Sequence, residues 1–352
     1  MKALLVITGR GLGGDAMIAY NVIKALEDVG VQCELALDES APGILFKKKG
    51  YSWHKISIPQ AGGHVATKAS AIKAAFRMFT ATFKARSLIK KLDVDFVVGI
   101  IGGGAIVASV GAKFARKPCV DLCCTPLDMK VCPKFNDCFV LPEYYLFREN
   151  VLPENIHKTY YPLSDDVKVG NAGIALEKLK EYPLFDENKK TILFSSGSSL
   201  FKGMIEACSN FSEFSDEYNL LLIGHPMHDE YFDLINEDKI IFLGYIDWIN
   251  HLYDYIDLAV LTDDGVMIQE IIACKIPIVT VTKIKWGRYH NIAGIYEGAI
   301  LETDSDSANE TIIEAFNNYD SLKDNVNKYS DEVSDSKSSL AKKIIEICGK
   351  WS

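Results

Sequence analysis

The feature that most constrains this chain is a unit that occurs twice: an apolar run, a stretch of small residues, then a helical pattern. Residues 2–8 are apolar almost without interruption, residues 9–14 are glycine-rich, and residues 16–29 carry helical spacing that stops at Gly30. Residues 191–194, the segment Ser195-Ser196-Gly197-Ser198-Ser199 and a helix to about residue 211 follow the same order. An apolar run without polar alternation marks a strand buried on both faces, as in a parallel sheet, and parallel pairing needs crossovers, usually helical. The chain is therefore predicted to be α/β, with two doubly wound halves.

At roughly 150 residues per domain, 352 residues suit two. The boundaries are expected at 1–163 and 164–335, with a final helix over 336–352 packing back on the first domain. Further strands are expected at 31–37, 95–101, 118–123 and 139–141 in the first half, and at 218–223, 240–243, 256–261 and 277–281 in the second. Long helices are expected at 64–92 and 106–114, then at 266–274, 309–319 and 322–329. Gly102, Gly103 and Gly104 read as a second glycine loop, and periodicity is lost where Pro142, Pro153 and Pro162 accumulate.

Composition excludes several classes. The nine cysteines show no paired metal-ligand spacing, which implies reduced thiols and a cytoplasmic setting. The apolar N-terminal run is too short for a signal-peptide core, and no run of 18 apolar residues could span a membrane. A net charge of −9 excludes a globally basic nucleic-acid coat. The charge is uneven, however: no Asp or Glu lies between Glu39 and Asp93, a stretch with eleven Lys and Arg.

Gly9, Gly11 and Gly14 satisfy GxGxxG after a strand, and Asp38 ends the second strand where a ribose-binding acid would sit. That pattern admits a nicotinamide dinucleotide, a tight turn with no ligand, or another phosphate- or saccharide-binding α/β fold.

The second half narrows the choice. The small-residue segment 195–199, the stretch Gly244-Tyr245-Ile246-Asp247-Trp248-Ile249, and Thr262-Asp263-Asp264-Gly265-Val266-Met267-Ile268-Gln269-Glu270 occur in succession, with Asn291 behind them. With the two glycine loops of the first half, this order resembles glycosyltransferase family 28, the MurG-like lipid II-forming N-acetylglucosaminyltransferases of the GT-B fold. The resemblance extends over most of the chain. It implies two Rossmann-like domains with a cleft between them and transfer of a sugar, N-acetylhexosamine in type, from a UDP donor to a lipid-diphosphate-linked cell-envelope precursor at the cytoplasmic membrane face. It implies no cofactor or metal.

Residue by residue, the resemblance puts Tyr245, Ile246 and Ile249 at the uracil and Glu270 at the donor ribose. Gly265, Val266 and Met267 fall at the diphosphate, where free helix N–H groups favour an anion. Gly197, Ser198 and Ser199 stand opposite, and Asn291 aligns with a sugar-contacting residue. Gly11, Gly13, Gly14, Gly102, Gly103 and Gly104 belong to the acceptor-side loops. The chain departs from the family at Gly287-Arg288, where a glutamine pair reads the donor sugar; Arg288 is either a phosphate ligand or a solvated charge. It departs again at Leu122-Cys123-Cys124-Thr125, which replaces the acceptor-side motif, and at Asp15, which replaces a loop histidine. The change at Gly287-Arg288 leaves the donor sugar open, and the acceptor-side changes imply an altered acceptor.

Asp15 is the candidate general base, its alternative being the N-cap of the first helix. Asp121 and Asp128 are weaker candidates for that base. His64 and His225 are unassigned. The pair Asp263-Asp264 reads as a helix cap rather than a metal site, and Glu270 as a ribose ligand or an exposed helix residue. On a helix, Lys73, Arg77, Lys84 and Lys91 fall within roughly 40° of one another, and Ile72, Phe76, Phe79 and Phe83 form a second stripe roughly 100° away. The phenylalanines are expected either to pack on the sheet or to meet an anionic membrane. Nothing in the sequence points to nucleic acid. Alternative readings are a nucleotide-sugar epimerase on the same fold, a noncatalytic binding subunit and a NAD-dependent dehydrogenase.

Overall fold

The computed structural model describes residues 1–9, 14–59 and 68–350, without the side chains of 68–76. Gly11, Gly13, His64 and the side chains of Lys73 and Phe76 therefore lie outside the described residues. The chain divides into two compact units, Met1–Pro162 with Asp335–Ser352, and Leu163–Ser334.

In the first unit the order is β1 (Lys2–Ile7), α1 (Gly14–Asp28), β2 (Gln32–Asp38), α2 (Ile44–Lys48), β3 (His54–Ile56), α3 (Lys68–Leu92), β4 (Phe96–Ile100), α4 (Gly102–Ala115), β5 (Cys119–Cys123), α5 (Pro126–Val131), β6 (Asp137–Val140) and β7 (Ile156–Lys158). The second unit holds α6 (Ala172–Leu179), β8 (Lys190–Leu200), α7 (Lys202–Phe211), β9 (Tyr218–Pro226), β10 (Ile241–Gly244), α8 (Ile249–Tyr253), β11 (Leu258–Thr262), α9 (Val266–Ala273), β12 (Ile278–Val281), β13 (Ile300–Thr303), α10 (Ala308–Asn317) and α11 (Tyr319–Ser334). The last helix, α12 (Ser336–Gly349), belongs to the first unit. Its Lys337 pairs with Asp28 of α1 at 2.9 Å, and Ser336 Oγ donates to the carbonyl of Tyr161 at 2.8 Å.

Every described strand pair runs parallel. The sheet orders are β3-β2-β1-β4-β5-β6-β7 and β10-β9-β8-β11-β12-β13. The central strands are the apolar runs read from the sequence; Ala3 through Ile7 of β1 and Leu258 through Val260 of β11 have no solvent exposure. The direction of strand addition reverses between β1 and β4 in one sheet and between β8 and β11 in the other. Open α/β sheets carry their ligand sites at such reversals, beyond the carboxyl ends of the strands.

Four expectations change. Gly102, Gly103 and Gly104 are the first turn of α4, not a loop before it. A Cβ on Gly104 would lie 2.8 Å from the Ile7 Cα, so only glycine lets the helix start against β1. The segment 195–199 does not end its strand; β8 leaves the β9 ladder after Ser195 and rejoins it at Ser199 opposite His225. The strands β3, β7 and β13 are not among those expected; they have three, three and four residues, too few for a readable period. The described phenylalanines of the α3 stripe do not pack on the sheet: Ala81, Ala85 and Ile89 are buried, while Phe79 and Phe83 are 57% and 43% exposed. Phe83 stacks on Phe114 of α4, itself 45% exposed, at 5.7 Å. Close helix approach selects small residues, which leaves the large rings outside.

Asp121, in the middle of β5, is fully buried, and desolvation pushes its carboxyl up to about 7 against the pull of hydrogen bonds from Asn136, Ser109 and Cys119. The unfolded carboxyl titrates near 3.8, so between that value and about 7 the folded chain retains a proton that the unfolded chain has released. Stability is therefore predicted to fall as pH rises through this window, by up to about 1.4 kcal/mol per pH unit from this group. Urea denaturation of Asp121→Asn alongside the parent chain checks this, because the variant should lack that part of the slope.

Candidate functional site

In the second unit the chain turns sharply at the strand reversal. β8 breaks its ladder at Gly197, with φ of 92°, and β11 runs into α9 through Gly265, with φ of 99°. Both values lie where a side chain is strained. Buried serines hold the first turn: Ser195 Oγ donates to the Ile223 carbonyl at 3.1 Å and accepts from the Gly197 amide at 3.0 Å, and Ser196 Oγ accepts from the Phe201 amide at 3.0 Å. Ser198 and Ser199 stand exposed at its rim. Val266 and Met267, half-buried, open α9, whose first N–H groups lack partners within the helix.

Glu270 lies one turn further along α9, half-buried rather than out in solvent, and accepts a hydrogen bond from the buried Tyr253 hydroxyl at 2.7 Å. Burial pushes its carboxyl up, and the Tyr253 bond pulls in the other direction. On the β10 side, Gly244 turns with φ of 61° into Tyr245, which is 75% exposed, while Ile246 and Ile249 are half-buried.

Asp263 and Asp264 do not cap α9, because Gly265 occupies the N-cap position. Asp263 is buried and accepts the His290 amide at 2.8 Å. Asp264 accepts from Thr262 Oγ1 at 3.1 Å and pairs with Lys285 Nζ at 2.6 Å. Both carboxylates thus tie the β12–β13 connection to the β11–α9 turn. Lys285 and His290 are the residues that sequence reading missed; the usable signal was a basic run, 283–288, just after β12. In the same connection Arg288 is exposed, and Asn291 is half-buried with φ of 51°. His225, at the end of β9, is exposed.

The first unit's reversal is built from Gly9, α1 and the start of α4. Asp15 sits inside α1 and is not its N-cap; its Oδ2 accepts from Thr8 Oγ1 at 2.7 Å and from the Gly9 amide at 3.3 Å. Gly14 opens the helix and is exposed. Asp121 and Asp128 are fully buried, which overturns their candidacy as a base; Asp128 accepts the Gly102 amide at 2.7 Å and the amide of Thr125, the N-cap of α5, at 2.9 Å. Asp38 is committed as well. It is buried, accepts the amides of Ile58 at 2.7 Å and Ser40 at 2.9 Å, and bonds the Ser40 hydroxyl. Its oxygens hold the segment after β2, which removes the ribose ligand that the dinucleotide reading needs.

Residues 5–120 match the glycosyltransferase family 28 N-terminal domain, and residues 177–333 match glycosyl transferases group 1. Over 120 residues the chain is 30% identical to the UDP-N-acetylglucosamine–N-acetylmuramyl-(pentapeptide) pyrophosphoryl-undecaprenol N-acetylglucosamine transferase of Caulobacter vibrioides, covering 34% of this chain and 33% of that protein. The chain thus spans about a third of the length of the curated relatives it matches. Among solved structures, Acinetobacter baumannii MurG superposes with a TM-score of 0.67 at 17% identity, covering 98% of this chain and 99% of that one. The UDP-GlcNAc 2-epimerase of Neisseria meningitidis, solved with UDP-GlcNAc, gives 0.67 at 12% identity, covering 99% and 100%. At these identities the likeness is one of fold. The chain has the two-domain GT-B fold of these proteins, and its two matched segments are similar to a glycosyltransferase family 28 N-terminal domain and to glycosyl transferases group 1.

Proposed function

We propose that the chain is a metal-independent glycosyltransferase that moves a sugar, N-acetylhexosamine in type, from a UDP donor to a lipid-linked diphosphate acceptor. The observation that carries this reading is the second sheet's reversal: two positive-φ glycine turns, Gly197 and Gly265, beside the amino end of α9, with Glu270 one turn on. Bare glycine backbone admits a diphosphate closely, and the helix amides favour its charge. Glu270 accepts from the ribose hydroxyls, and the Tyr245–Ile249 backbone meets the base. In the transfer the bond from sugar C1 to the diphosphate oxygen breaks, and its electron pair leaves with the UDP. The acceptor hydroxyl oxygen bonds C1, and its proton passes to a base, for which Asp15 is the candidate.

The first unit is assigned to the acceptor, and its outer face to the cytoplasmic side of the membrane. Among the described residues no helix is long and apolar enough to cross a membrane. Phe79 and Phe83 of α3 and Phe114 of α4 instead form an exposed aromatic patch, and α3 also carries the exposed Arg77 and Lys84. Half-exposed rings beside cations suit the interface of an anionic bilayer.

A second reading, epimerisation of the donor itself, draws on the epimerases among the structural neighbours. Incubation of UDP-N-acetylglucosamine with the protein alone, followed by proton NMR, separates the two: an epimer formed without acceptor establishes the second reading.

Calorimetric titration is expected to show binding of UDP and UDP-N-acetylglucosamine but not NAD. Glu270→Ala should weaken UDP about tenfold or more, the cost of losing charge-assisted bonds to the ribose. Equal binding by both proteins would remove the ribose role. In sedimentation with phosphatidylglycerol vesicles, Phe79→Ala and Phe83→Ala should each reduce binding about fivefold, from roughly 1 kcal/mol of half-exposed ring lost per site.

A further inference from the structure

We propose that Lys285 is the cation that meets the donor diphosphate, and that Asp264 holds it in place until the donor arrives. The inference rests on the donor-site reading above and adds to it a residue that has no counterpart among the expected ligands.

Position is the first argument. A Cβ built on Gly265 would lie 3.6 Å from Lys285 Nζ, and one built on Gly197 would lie 4.0 Å from it. In each case Nζ is the sole atom within 4 Å among the described residues, once the glycine and its two chain neighbours are set aside. One ammonium group therefore faces both turns across the β8–β11 reversal, the space where a diphosphate bound to those amides would sit. Arg288, the cation expected from sequence, is exposed.

Preorganisation is the second. Lys283, Trp286 and Gly287 all take positive φ, at 60°, 58° and 65°, and the Arg288 amide closes the turn on the Lys285 carbonyl at 3.1 Å. Trp286 packs edge-on against Phe201 at 5.1 Å, and Asp263 anchors the His290 amide. Left-handed backbone at non-glycine residues persists only where surroundings hold it. Here the reward is a lysine whose side chain is 19% exposed, already mostly desolvated and close to its working place.

Asp264 explains why the cation stays there. Thr262 Oγ1 fixes one of its oxygens at 3.1 Å, and that same oxygen meets Nζ at 2.6 Å. The carboxylate balances the lysine while the turns are empty and competes with an incoming diphosphate. A charge-neutral replacement should therefore favour the donor.

The test compares UDP with uridine, which shares the base and ribose but lacks the diphosphate, by calorimetry at several salt concentrations. Lys285→Met should weaken UDP at least tenfold, leave uridine unchanged and flatten the salt dependence of UDP binding. Lys285→Arg should restore most of the affinity. Asp264→Asn should bind UDP as tightly as the parent or several-fold tighter, and it keeps the proposal testable if the methionine variant misfolds. If Lys285→Met binds UDP like the parent, or loses UDP and uridine equally, Lys285 is not the diphosphate cation although the donor site stands. If the parent binds neither ligand, the donor-site reading fails and the inference falls with it.

Discussion

Parallel pairing governs this protein. Two parallel neighbours cannot be joined by a tight turn, so each connection must cross a face of the sheet. Where the direction of strand addition reverses, neighbouring connections leave to opposite faces and a crevice opens at the strand ends. Both sheets have one such place, between β1 and β4 and between β8 and β11. Among the described residues, the motif glycines Gly9, Gly14, Gly102, Gly103, Gly104, Gly197 and Gly265 stand at these two places. They serve the fold first, Gly104 by letting α4 start against Ile7 and Gly265 by letting β11 turn into α9.

Around these turns the acidic residues divide by what they hold. Asp38, Asp121 and Asp128 are buried and bound to backbone or side-chain donors of the first unit. Asp263 and Asp264 tie a connection to the second unit's turn through His290 and Lys285. Glu270 rests on the Tyr253 hydroxyl, and Asp15 on Thr8 and Gly9. A carboxylate whose oxygens are occupied by structural donors has less to offer a ligand, and this separates the candidates more sharply than their place in a motif does. It is why the dinucleotide reading loses Asp38 while Glu270 and Asp15, both half-exposed, keep their candidacies.

The first unit shows the same division for apolar residues. A helix has one stripe to bury, and the pattern of α3 offered two: phenylalanines, and the alanines with Ile89. Packing selected the small residues, because the neighbouring helix α4 approaches closely at Gly111, whose Cβ would lie 2.9 Å from that of Ala85. The rings were left exposed, so the patch follows from how α3 meets α4.

The sequence by itself determined the alternation of buried strands and helices, the parallel pairing and the small-residue turn after the first strand of each half, since these follow from local period and conformational freedom. It also carried the resemblance that the matched domains bear out. Only the tertiary structure decided where the strand of β8 ends, which stripe of α3 is inside, and which acids are spent on the fold. It alone brought Lys285 to Gly197 and Gly265, from 88 and 20 residues away in sequence. The physical reason is range. Period and propensity act over a few residues, whereas strand order and helix packing set which distant side chains share a volume, and a charge is defined by the partners it finds there.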